Sequence, residues 1–121
     1  MFADTTGKLL ADSGQSVASL GRLKIVTEPN ATRTLTAADA GAYIRFTNAA
    51  GCVVTVNNGV FAPGDSVLLR QVAAGAVSFA GTATLTPPVT NNAVSGQQGA
   101  TVGLVFHTAN LADVLGDLQD I

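Results

Sequence analysis

Between residues 34 and 71, apolar and polar positions alternate in short runs that end at glycine. Tyr43, Arg45 and Thr47 fall on one side of a pleat and Ile44, Phe46 and Asn48 on the other, the period-2 signature of a half-buried strand. Ala49-Ala50-Gly51 separates this strand from a second over 52–56, and Asn57-Asn58-Gly59 contains the Asn-Gly pair of a type I′ hairpin turn. The pattern therefore predicts two successive antiparallel hairpins. In Ala62-Pro63-Gly64-Asp65, Pro sets φ at the second position of a type II turn and Gly supplies the positive φ at the third. The next strand is expected over 66–71.

Further strands are predicted over 23–27, 32–35, 76–80, 82–86 and 101–107. Thr36 opens a single helical turn, with Asp39 placed as in a capping box and Gly41 closing it. Residues 87–92 are too rich in Pro and Asn for a central strand and read as a surface loop, with Pro87, Pro88, Asn91 and Asn92 as candidate contact residues. Over 111–121 two readings compete: Leu111, Val114 or Leu115, Leu118 and Ile121 fit helical spacing, but Gly116 weakens a helix, and a final extended segment is preferred. With about one strand per ten residues, the fold class is all-β, a small antiparallel β-sandwich or barrel of about eight short strands.

Residues 1–20 show weak periodicity and read as an extended N-terminal arm, or as a frayed terminus in a free subunit, ahead of a β-domain over 21–121. Leu9, Leu10, Val17 and Leu20 are the candidate partner contacts, the anchors by which an arm would order against a neighbour in an assembly.

A chain of 121 residues, 47% of them hydrophobic, can build one core without metals or disulfides. Only 12% of its residues are charged, about half the typical 25% or so. Much of the surface is therefore uncharged, which implies association with identical subunits, unless small Ala, Gly and Thr side chains keep that surface from being sticky. The six basic residues are scattered and the net charge is −2, so no nucleic-acid footprint is visible. The start lacks the positive charge of a secretory signal, and no apolar run is long enough to predict a membrane span.

Candidate chemistry is sparse: one His, one Cys, one Tyr and no Trp. An enzyme would have to use His107 or carboxylates alone. No sequence feature brings His107 together with Ser66, Ser78 and Asp113, and no nucleophile elbow is present, so His107 reads as a strand-end residue. Cys52 reads as a small buried hydrophobe. No pair of soft ligands or acidic metal loop occurs, and the two glycines of Gly96-Gln97-Gln98-Gly99 lack the lysine of a phosphate loop. The expectation is a non-enzymatic protein with no cofactor and no metal.

Residues 5–14 (TTGKLLADSG) resemble the connecting piece that precedes the terminal domains of tailed-bacteriophage fibre proteins. Residues 34–41 (TLTAADAG), the Tyr43 strand, 61–69 (FAPGDSVLL) and 99–105 (GATVGLV) are similar to a small β-domain of phage fibres and virion-surface proteins. Residues 110–118 (NLADVLGDL) resemble its closing segment but lack the family's aromatic residue. The resemblance implies a homotrimeric virion component, made in the host cytoplasm, with no catalytic residues. The chain's brevity favours a capsid decoration, or cement, protein or a short head fibre that binds the major capsid protein. The alternative is a receptor-binding tail-fibre or adhesin domain that recognises a host surface glycan, although six Phe and Tyr residues offer few stacking platforms.

Overall fold

The computed structural model describes residues 22–121. Among the described residues the regular elements are eleven strands and one 3-10 turn, Ala37–Asp39. The chain is thus all-β. Its strands are not, however, ordered as an antiparallel sandwich or barrel.

The first half winds as three stacked coils, each giving one strand to each of two sheets. Strands β1 (Lys24–Glu28) and β2 (Thr32–Thr34) form the first coil, β3 (Ala42–Phe46) and β4 (Cys52–Thr55) the second, and β5 (Ser66–Gln71) and β6 (Val77–Ala80) the third. β3 pairs in parallel with β1 and β5. β4 pairs in parallel with β2 and β6. Equivalent strands of successive coils are bonded, so the arrangement is solenoid-like and the two predicted antiparallel hairpins do not exist.

The turns explain the difference. A type I′ hairpin needs positive φ at both central residues, yet among the described residues no non-glycine has positive φ, so of Asn58 and Gly59 only Gly59 (φ 77°) meets the requirement. Instead the Asn58 N–H donates to Thr82 Oγ1 (2.9 Å) and the Gly59 N–H to Asn110 Oδ1 (3.0 Å), so distant partners hold this segment. The turn at Gly51 likewise carries the chain from one sheet to the other and stacks on the equivalent turn of the third coil. A Cβ on Gly51 would lie 2.6 Å from the Ala76 carbonyl oxygen, and one on Gly75 would run into the Gly51 backbone. Glycine at both positions lets the coils reach hydrogen-bonding distance. The type II turn at Ala62–Asp65 forms as expected: Gly64 has φ 94° and the Asp65 N–H donates to the Ala62 carbonyl (3.0 Å).

The second half closes the molecule with β7 (Thr84–Thr86), β8 (Asn91–Ser95), β9 (Thr101–Thr108), β10 (Leu111–Gly116) and β11 (Leu118–Asp120). β9 pairs antiparallel with β5 and β10, and β10 parallel with β7, giving a six-stranded mixed sheet in the order β1-β3-β5-β9-β10-β7. The extended reading of the C-terminal segment is correct. β8, by contrast, occupies part of the predicted 87–92 loop and pairs antiparallel with β11. It tolerates its asparagines because the Asn91 amide donates to the Leu118 and Gln119 carbonyls at 3.4 and 3.3 Å.

Inward residues of both sheets form one core, including Ile44, Leu69, Val102 and Leu104 from the large sheet and Val54 and Val77 from the small one. Each such side chain stabilises the fold by roughly 1.5–3 kcal/mol relative to exposure. The stacked rings of Phe61 and Phe106, with centroids 4.5 Å apart, seal the side beside the Pro63 turn. One buried polar link crosses the interior. Ser95 Oγ donates to Gln71 Oε1 (2.6 Å) and accepts the Val77 N–H (2.7 Å), while Gln71 Nε2 reaches the Ala73 and Ala74 carbonyls.

Candidate functional site

The densest group of charged side chains closes the first coil. Inward-facing Glu28 ends β1, Arg33 sits in the middle of β2, and Asp39 ends the 3-10 turn. Arg33 donates to Glu28 Oε1 (3.0 Å) through one terminal nitrogen and to Asp39 Oδ1 (2.6 Å) through the other. The remaining carboxylate oxygens accept backbone N–H groups, Glu28 Oε2 from Asn30 (3.1 Å) and Asp39 Oδ2 from Thr36 (3.0 Å). The latter is the Asp39 half of the predicted capping box. Burial disfavours the Arg33 charge, but hydrogen bonds to Asp39 and Glu28 outweigh it and raise its pKa above the ordinary value. Every carboxylate oxygen in the group is engaged, which makes it a structural cap over the end of the core.

Cys52 is buried, and desolvation, reinforced by the Glu28 charge, pushes its thiol up to about 11. It is a protonated core residue at neutral pH, consistent with its reading as a small hydrophobe.

His107 lies on the outer face at the end of β9, its Nε2 3.7 Å from Asp113 Oδ1, with both side chains about half exposed. The fold thus brings His107 and Asp113 together. Ser66 is on β5, where it is in register with Val105, and Ser78 belongs to the other sheet. Neither serine has a hydrogen bond to His107, so no relay from a nucleophile is assembled. Among the described residues no group of three or more His, Cys, Asp and Glu is placed to hold a metal ion, and no helix is long and apolar enough to cross a membrane.

The candidate anchors Leu9, Leu10, Val17 and Leu20 lie outside the described residues. Of the candidate contact loop, Pro88 is exposed and Pro87 half-buried, whereas Asn91 and Asn92 belong to β8 and Asn91 is committed to β11. The tip of this loop is Val89, 93% exposed. Nearby, Phe79, Ala80, Gly81, Ala83, Leu85 and Ala93 line an open cleft of about 230 Å³ whose surface is mixed polar and apolar.

A surface feature that crosses several strands is on the outer face of the six-stranded sheet. Ile25 is in register with Tyr43, Tyr43 with Leu68, Leu68 with Gly103 and Gly103 with Leu115. Registered residues share a face, so these five positions form a ladder across five adjacent strands. Leu68 and Leu115 close over Gly103: a Cβ there would lie 3.3 Å from Leu115 Cγ and 3.5 Å from Leu68 Cδ2. At the ends of the ladder, Ile25 is 62% and Leu115 48% exposed. Inspection of the sequence missed this feature. Its only linear signal is an apolar residue at the outward phase of several strands, and the strand pairing that aligns them is absent from the sequence.

No protein-family model matches this chain, and neither a curated protein nor a solved structure matches it.

Proposed function

We propose that this chain is a non-enzymatic structural protein of a tailed-phage virion, a trimeric capsid decoration (cement) protein or short head fibre that stabilises the head. The observation that carries the reading is the apolar ladder on an open sheet face, in a molecule whose clustered charges are spent on capping its own core. The sparse charge of the sequence and the fibre-like segments at 5–14, 34–41 and 99–105 support the same reading. Contact with the major capsid protein would stabilise the shell by adding buried apolar area, at about 25 cal/mol per Å² before the entropy of association is subtracted. Cryo-electron microscopy of virions carrying the chain tests this, with trimeric density on the head as the expected result. Density confined to the tail, or none on the particle, would refute it.

A second reading, a receptor-binding domain of a tail fibre or adhesin, draws on the projecting Val89 loop beside the open cleft. Binding of the purified protein to host cells, lost on Val89→Asp, would favour that reading.

A further inference from the structure

The geometry points to the ladder Ile25–Tyr43–Leu68–Leu115 as a self-association seam, along which identical copies pack about a symmetry axis parallel to the ladder. The inference deepens the trimeric reading above and rests on it for the number of copies.

Three observations support a second copy of this chain as the occupant. First, β1, β3 and β5 are mutually parallel, and parallel strands are ordinarily covered on both faces. Among the described residues nothing covers the outer face here, and large apolar side chains stand exposed on it, Val105 among them.

Second, the charges flanking the ladder are arranged for cyclic symmetry. On one side runs the row Thr27, Arg45, Arg70 and Thr101, and on the other Ser66, Val105, Asp113 and Thr86. One flank carries Arg45 and Arg70, and the other carries Asp113 with His107 beside it at 3.7 Å. Rotation about an axis parallel to the ladder keeps the apolar rows facing inward and turns the basic flank of each copy toward the acidic flank of the next. Such a head-to-tail contact closes into a ring when the rotation closes.

Third, the size is adequate. Five strands span about 19 Å at the usual strand spacing, and three outward rows span about 14 Å before side-chain margins are added. With about 3 Å of side-chain margin on every edge the face covers on the order of 500 Å² in projection, or about 1,000 Å² for two facing copies, the size at which specific interfaces begin. A second copy supplies a surface of the same length, period and polarity.

The test is sedimentation equilibrium of the full chain at micromolar concentration, with circular dichroism as a control for folding. The wild type is expected to be trimeric. Ile25→Asp and Leu115→Asp, at sites already exposed in the subunit, should each yield folded monomer. Val53→Asp, on the other sheet, should leave the trimer intact. Arg70→Asp should weaken association at least tenfold, and Arg70→Asp combined with Asp113→Arg should restore most of it. A wild type that is monomeric would overturn both the seam and the oligomeric reading. A trimer unaffected by Ile25→Asp and Leu115→Asp would overturn the seam alone. A wild-type dimer dissociated by those variants would uphold the seam and overturn the three-fold reading. If the seam variants unfold, cysteine cross-linking at Leu115→Cys decides. Covalent linkage between subunits in the native protein upholds the seam, and none overturns it.

Discussion

Replacing Arg33 by alanine should destabilise the folded chain by about 3 kcal/mol, because it strips two buried carboxylates of their common counter-ion. The Glu28 and Asp39 side chains are 8% and 3% exposed, so neither can recover much hydration once the guanidinium is gone. Arg33 itself is 20% exposed, which places the loss near the lower end of the roughly 3–5 kcal/mol found when a buried pair is broken. For a chain of 121 residues that corresponds to a fall in Tm of about 12 °C. With a urea m-value of roughly 1–3 kcal/mol per M, the midpoint should move down by about 1–3 M. Urea titration followed by far-ultraviolet circular dichroism, at one fixed protein concentration so that association does not contribute, measures the difference. A companion variant separates charge from packing. Arg33→Met with Glu28→Gln and Asp39→Asn leaves no unpaired charge, keeps carbonyl acceptors for the Asn30 and Thr36 N–H groups, and should recover much of the loss. A cost below about 0.5 kcal/mol for Arg33→Ala would mean that the cluster behaves as an exposed ion pair, and the account of it as a core cap would fail.

Gly75→Ala should be far more damaging than Gly64→Ala. The new Cβ at position 75 meets the backbone of the neighbouring coil, whereas nothing lies within 4 Å of one at position 64. Gly64→Ala should cost only the roughly 1–2 kcal/mol of a left-handed alanine, and equal Tm losses for the two variants would contradict coil stacking at Gly51. Cys52 makes stability fall in alkali. Its folded pKa of about 11 lies above the ordinary 9.0, so its contribution is complete below about 9 and declines as pH rises toward about 11. Unfolding midpoints measured across that window should fall less steeply in Cys52→Ala, and identical slopes would refute burial of the thiol. His107→Ala should change stability by less than about 0.5 kcal/mol, since its contact with Asp113 is long and exposed. A larger loss in thermal melts would show that the pair has a structural role.

Much of the local structure was legible in the sequence because strands, turns and caps depend on neighbours. The alternation at residues 42–46, the Pro63-Gly64 turn and the Asp39 cap all formed where those residues indicated. β8 was missed because its asparagines are poor strand formers in isolation, and their amide bonds to β11 come from residues more than 25 positions away.

The sequence by itself determined that this chain is built of short strands, carries little charge and offers few groups for chemistry. Only the tertiary structure decided which strands pair. A period-2 pattern states which side chains share a face of one strand, but it is silent on whether the next strand lies beside it or in the opposing sheet. Here the backbone conformation at Asn58 and the close approach of Gly51 to Gly75 select stacked coils over hairpins. That choice aligns Ile25, Tyr43, Leu68 and Leu115, residues up to 90 positions apart, into one apolar ladder. The surface on which the functional reading rests is therefore a consequence of register, a long-range property that local alternation does not encode.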